Sequence, residues 1–281
     1  MKEQHMGVQE ATAVATALVA ARRASTALDG FPGAIPADLD AAYVVQNIGI
    51  GLRQERVVGW KVGMVPPQWR ERAGAERLVG PVVESLLWSA PRGRLRLPAI
   101  AGGTACVEAE IVLEVGRDVP AGARTWTADD AREVLGGVRL AVELAGSPVP
   151  DINGLGPMAV ASDFGNNAGL VLGPRVTDDP ATWLGLACRT WVDGELVGAA
   201  TPGDVPGTPL EAFRFALQVC TARGHALRAG DVVATGAVTG VHDVRPGQSA
   251  ELRYGDLFQV EIDVVEALST ALHPDEESWR R

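Results

Sequence analysis

The stretch Val107-Glu108-Ala109-Glu110-Ile111-Val112-Leu113-Glu114 constrains the fold of this chain more than any other. Apolar and acidic residues alternate in it with a period of two, which is the period of a β-strand. Glu108 and Glu110, and further along Glu114, then share one strand face, while Val107, Ala109 and Ile111 take the other. A sheet with one solvated face shows the same pattern, so an exposed acidic stripe is the plain reading. A further carboxylate argues for more. Glu143 sits inside Val138-Arg139-Leu140-Ala141-Val142-Glu143-Leu144-Ala145, a run apolar enough for a buried strand. A charge buried there must be paired or must bind a metal. Three carboxylates with no His or Cys among them suit a hard cation such as Mg²⁺ or Mn²⁺, which keeps waters that a substrate can displace.

The rest of the composition narrows the function class. With 281 residues, 47% of them hydrophobic and 21% charged, the chain has enough material for one large domain or two small ones with a sizeable core. Its 25 basic against 35 acidic residues give a formal charge of −10, which argues against a nucleic-acid partner, whose phosphates need basic patches. Cys106, Cys188 and Cys220 are odd in number and widely spaced, so neither a disulfide framework nor a zinc ribbon is indicated and a reducing cytoplasm is expected. Ala11 to Ala21 imitates a signal peptide only weakly, because Lys2 and Glu3 cancel before it and Arg22 and Arg23 follow it. No apolar run approaches the roughly 20 residues that span a bilayer, so no membrane is expected as a partner.

The organisation reads as a helical start followed by strands. Val14 to Leu28 is rich in Ala and Leu, Gly30 to Pro36 is a turn, and Asp38 is placed to cap a helix through Tyr43, Val44 and Ile48. After Gly59 the texture changes to short strands such as Val232 to Thr235 and Gln259 to Val265. Asp129 to Leu135 and Pro209 to Thr221 have helical spacing, with Asp129 and Thr208 as expected caps. The division expected is a helical part over 1–70, a β-rich catalytic core over 71–270 and a tail over 271–281.

Three further stretches carry chemistry. In Val57-Val58-Gly59-Trp60-Lys61-Val62-Gly63-Met64 a lone Lys lies in an apolar run between glycines that permit close backbone approach. A long-stemmed structural lysine explains it equally well, as does a proton donor held beside a bound anion or enolate. Ala161-Ser162-Asp163-Phe164-Gly165-Asn166-Asn167-Ala168-Gly169 crowds polar side chains onto a turn, as ordinary Asx turns also do. Gly230-Asp231-Val232-Val233-Ala234-Thr235-Gly236-Ala237 is a strand with a Thr-Gly end.

In this order and spacing, the four stretches resemble the hydratase and decarboxylase branch of the fumarylacetoacetate hydrolase superfamily. The resemblance runs from Ala41-Ala42-Tyr43-Val44-Val45-Gln46 to the Leu227-Arg228-Ala229-Gly230-Asp231 and Thr235-Gly236 region. It implies an α+β fold: a mixed β-roll, barrel-like core with a small helical N-terminal part, assembled as a homodimer or larger homo-oligomer. It also implies a divalent metal, Mg²⁺ or Mn²⁺, on Glu108, Glu110 and Glu143, with Lys61 as the catalytic lysine. Asp163, Asn167 and Thr235 are then expected to border a small 2-oxo or enol acid substrate.

The family's activities imply a lyase working through a metal-stabilised enolate. Hydration of the 2-keto-4-pentenoate type leads, and 4-oxalocrotonate-type decarboxylation follows. An acylpyruvate-type carbon-carbon hydrolase is a third reading; it needs a base, for which His5, His225, His242 and His273 are the candidates, His242-Asp243 first among them. A non-catalytic or repurposed family member is the fourth.

Departures from the family pattern give that last reading weight. Met64-Val65-Pro66 replaces a segment with two hydroxyls, and Leu78-Val79-Gly80 stands where hydratases carry an acid two residues before the Gly and decarboxylases are apolar. After Glu143, an Asp and an Arg of the pattern are replaced within Leu144-Ala145-Gly146-Ser147-Pro148. Asp163-Phe164-Gly165-Asn166 replaces Asp-Asn-Ala-Ser, and Asp256-Leu257-Phe258 replaces Gly-Leu-Gly. Loss of the Arg argues against a diacid substrate, because a guanidinium is the natural carboxylate partner.

Overall fold

A computed structural model describes residues 6–90, 93–177 and 179–268 of the chain. The expected tail over 271–281, and with it His273, lies outside the described residues, as does His5.

Two helices open the described chain. Helix α1 (Val8–Ala24) starts and stops earlier than its composition suggested, ending where Ser25 turns left-handed at φ 50°. Helix α2 (Leu39–Arg53) begins at Asp38, whose carboxylate accepts the backbone N–H of Ala41 and so satisfies an otherwise orphaned donor. Val14 and Leu18 of α1 and Val45 of α2 pack with Val149 and Ile152. Leu39, Ala42 and Tyr43 on another side of α2 join the main core. The helical part ends at Arg53, earlier than residue 70, because Val57 to Met64 is a strand of the large sheet.

The strands are β1 (Val57–Met64), β2 (Arg77–Val83), β3 (Leu87–Ser89), β4 (Leu95–Ala99), β5 (Thr104–Val115), β6 (Leu135–Ser147), β7 (Asn167–Val176), β8 (Cys188–Val192), β9 (Glu195–Ala200), β10 (Val232–Ala234), β11 (His242–Asp243), β12 (Ser249–Tyr254) and β13 (Phe258–Glu266). They form two mixed sheets. The larger runs β2-β1-β10-β5-β6-β7-β3, with β11 also on β5; the smaller runs β4-β13-β12-β8-β9. Tyr254 ties them together: its hydroxyl accepts from Glu110 N–H and donates to the carbonyl of Ala141.

Two further helices have caps that differ from expectation. Ala128–Val134 is capped by Thr127, which exchanges hydrogen bonds with Asp130, so Asp129 is not the cap. Thr208–Ala222 follows Gly207 at φ 74° and has no side-chain cap, so Thr208 is inside the helix. Among the described residues no helix is long and apolar enough to cross a membrane.

Strand β5 is buried on both faces. Val107, Ala109 and Ile111 are inaccessible in the core, and on the other face Glu108 is 4% and Glu110 0% exposed. The alternation is therefore not a solvated stripe, and the acids it buries need compensation.

Candidate active site

The antiparallel register of β5 and β6 builds the centre of the site. Glu108 lies directly opposite Glu143, and Glu110 follows two residues along the same face. One oxygen from each carboxylate lies within 4.8 Å of the others, and all three residues are buried. Glu114 continues that strand face but leaves the group: Arg139 and Arg175 pair with it and hold its carboxyl below the usual carboxylate range.

The three acids are incompletely satisfied. Glu110 Oε2 accepts the backbone N–H of Gly236 at 2.8 Å, and Glu143 Oε1 accepts Asn167 Nδ2 at 2.9 Å. Glu110 Oε1 and Glu143 Oε2 are buried with no hydrogen-bond partner. Buried polar atoms are paired in the great majority of cases, so two orphaned carboxyl oxygens in one cluster call for a partner such as a cation. An all-oxygen donor set without His or Cys fits a hard divalent ion. Burial and the charge on Glu143 push the Glu108 carboxyl up to about 7 against the pull of Lys61. Burial, with Glu143 and Glu108 beside it, drives Glu110 well above its ordinary value.

Lys61 reaches this cluster from two strands away, because β10 separates β1 from β5. Its Nζ lies 3.5 Å from Glu143 Oε1 and donates to Asn166 Oδ1 at 3.3 Å. Burial alone would discharge the ammonium, but Glu143, Glu108 and Glu110 outweigh it and hold the Lys61 pKa above its ordinary value. In this geometry Lys61 donates a hydrogen bond to Asn166 and lies in ion-pair range of Glu143. The flanking glycines act as expected in one case: a Cβ on Gly59 would sit 2.4 Å from the carbonyl oxygen of Val232.

The turn after Ser162 positions the two asparagines. Phe164, Gly165 and Asn166 are all left-handed, at φ 58°, 64° and 53°. A Cβ on Gly165 would fall 2.9 Å from the Gly80 Cα and 3.1 Å from the Lys61 Cδ, so only Gly lets this turn close on β1 and β2. Arg22 of α1 clamps it. Its Nε donates to Asp163 Oδ1 at 2.6 Å and its Nη2 to Oδ2 at 2.9 Å, with further bonds to the carbonyls of Asn167 and Gly146. Ser147 Oγ donates to Asp163 Oδ2 at 2.5 Å.

A cavity of about 390 Å³ opens beside this cluster, with Lys61, Glu108, Asn153, Asn166 and Gly236 in its wall. None of the three residues expected to border the substrate lines it. Both oxygens of Asp163 are taken by Arg22 and Ser147, which ties it to the turn. Asn167 is turned away and holds Glu143. Thr235 donates its hydroxyl to the carbonyl of Ile111 at 2.7 Å, and its neighbour Gly236 meets the cavity instead.

No described histidine lines the cavity. His242 bonds Thr239 and packs against Gly198, and His225 packs at a tilt against the Trp60 ring and bonds Asn47. Sequence reasoning passed over three residues. Asn166 stood inside a recognised polar turn, whereas Asn153, which accepts from Asn166 Nδ2 at 3.0 Å, and Arg22, 141 residues from Asp163, had no local signal.

Residues 65–272 match the family described as fumarylacetoacetate (FAA) hydrolase C-terminal. This chain belongs to that family. A 2-keto-4-pentenoate hydratase from Burkholderia vietnamiensis is 30% identical over 208 residues, spanning 72% of this chain and 76% of that protein. A 4-oxalocrotonate decarboxylase from a Pseudomonas species is 26% identical over 222 residues, spanning 79% and 82%. The solved 4-oxalocrotonate decarboxylase from Pseudomonas putida G7, complexed with magnesium and adipate, aligns at a TM-score of 0.75 and 20% identity over 94% of this chain and all of that one. The fumarylacetoacetate hydrolase fold, a mixed β-roll with helices at its N-terminus, thus extends over nearly the whole chain. The relatives named are enzymes, and this chain is a member of their enzyme family. Three of the stretches that depart from the expected pattern meet in the cavity wall, through Met64 and Pro66, Leu78, and Asn166.

Proposed function

We propose that this chain is a divalent-metal-dependent lyase, a hydratase of the 2-keto-4-pentenoate type, acting on a small 2-oxo or enol acid through a stabilised enolate. The observation that carries this reading is the pair of orphaned buried oxygens, Glu110 Oε1 and Glu143 Oε2, beside the ammonium of Lys61. Glu108, Glu110 and Glu143 would hold the ion, Mg²⁺ or Mn²⁺. When bound, that ion supplies Lewis-acid stabilisation for negative charge developing on the 2-oxo oxygen.

The chain's own residues do the rest. Lys61, kept protonated by the three acids, places a positive donor at the cavity wall, where it stabilises an enolate and delivers a proton. Asn166 holds the Lys61 ammonium and is itself held by Asn153. Asn167 and the Gly236 N–H fix the carboxylates of Glu143 and Glu110.

One observation favours decarboxylation as the second reading: Leu78 lines the cavity where a hydratase acid is expected, leaving an apolar wall at that point. Among the described residues no histidine supports the hydrolase reading, because neither His225 nor His242 lines the cavity. The test mixes enzyme and Mg²⁺ with 2-hydroxypenta-2,4-dienoate or with 4-oxalocrotonate and follows ultraviolet absorbance and carbon dioxide release. Loss of the dienoate band without carbon dioxide supports the hydratase. Turnover of oxalocrotonate alone, with carbon dioxide, supports the decarboxylase. No turnover of either overturns both.

A further inference from the structure

We propose that the cavity selects 2-oxo monocarboxylates with an uncharged, apolar tail longer than that of a five-carbon acid, and discriminates against dicarboxylates. This rests on reading the Lys61 and carboxylate end as the site of the 2-oxo acid head.

The polar groups of the cavity gather at that end. Lys61 lies against Glu143 and Asn166, and Asn166 against Asn153, so the amides are largely spent on one another and on the lysine. Outward from them the wall is made by Met64, Pro66, Leu78, Val160, Val205 and Val241. Apart from Lys61, no described residue lining the cavity carries a positive charge. Arg77 bonds the carbonyl of Pro206 and has its Nη1 buried without a partner, but it lines a different pocket and not this one. A second carboxylate on the substrate would therefore lose hydration without gaining a partner, whereas methylenes would be transferred from water to an apolar surface.

Size points the same way. About 390 Å³ lies within the range of roughly 300–1,000 Å³ typical of pockets for larger organic ligands, and exceeds what a five-carbon acid fills. Most of the residues lining it are apolar, so the tail that fills the remaining space is an alkyl chain or an aromatic ring.

Calorimetric titration of the full-length protein in excess Mg²⁺ tests this with pyruvate, 2-oxoheptanoate and 2-oxoheptanedioate. The expected order is 2-oxoheptanoate tighter than pyruvate by at least about 10-fold, and tighter than 2-oxoheptanedioate by a similar factor. Val241→Arg adds the missing charge at a residue 53% exposed at the rim, where the fold tolerates it, and should narrow the gap between the two seven-carbon acids by about 10-fold. Binding of pyruvate with no gain from the longer tail, or tighter binding of the dicarboxylate, overturns the proposal while leaving the proposed function standing. Failure of all three acids to bind overturns the 2-oxo acid reading and this inference with it.

Discussion

Two buried ionic groups flank the same turn and are built differently. Arg22 and Asp163 form a closed pair: charge cancels, both carboxylate oxygens are bonded, and the guanidinium reaches three backbone carbonyls. Glu108, Glu110 and Glu143 form an open one, with three acids facing one lysine and two oxygens without a partner. A buried charge pair with every atom satisfied needs nothing more and holds the backbone in place. A cluster left with excess negative charge and unused lone pairs has room for a cation. The first organises the turn that carries Asn166 and Asn167; the second receives what that turn helps to hold.

This contrast can be broken by experiment. Asp163→Ala leaves Arg22 buried and uncompensated, so it should cost about 3–5 kcal/mol in denaturant unfolding, the largest effect expected. A loss below about 1 kcal/mol would mean that the pair is not the anchor of the turn. Mg²⁺ at 100 times its Kd should stabilise the native protein by about 2.7 kcal/mol in the same assay. Glu108→Ala combined with Glu110→Ala should abolish that gain together with activity, yet keep the fold, because it removes two mutually repelling buried acids. Undiminished stabilisation by Mg²⁺ in the double variant would remove the carboxylates as ligands.

The smallest effect is expected at His225, which belongs to neither group. Burial, then the charge of Arg223, lowers its pKa from 6.5 to about 4. A histidine depressed in the folded state contributes stability that is full above about 6.5 and declines as pH falls from there towards 4. The ring is partly solvated, so the slope is shallow; His225→Gln should flatten it in melts between pH 6.5 and pH 4. An unchanged slope in that variant would assign the decline to the carboxylate cluster.

Much of the fold was legible before any coordinates. The alternation at Val107 to Glu114, the apolar run around Glu143 and the Asp38 cap each became the expected element, because strand period and cap chemistry are local properties. Lys61 and the three glutamates could be singled out because a charge inside an apolar run is anomalous wherever the run ends up. Asp163 misled for the same reason: its polar turn resembled a binding loop, and the partner that occupies it, Arg22, comes from a helix 141 residues earlier.

The chain order alone was enough to say that Glu108 and Glu110 share a face and that Glu143 is an expensive residue to bury. It could not say that Glu143 lies opposite Glu108, that Lys61 crosses β10 to reach them, or that two oxygens are left bare. Periodicity is carried by neighbours along the backbone, whereas pairing register, the reach of a long side chain and the satisfaction of a buried lone pair depend on residues that only folding brings within a few ångströms.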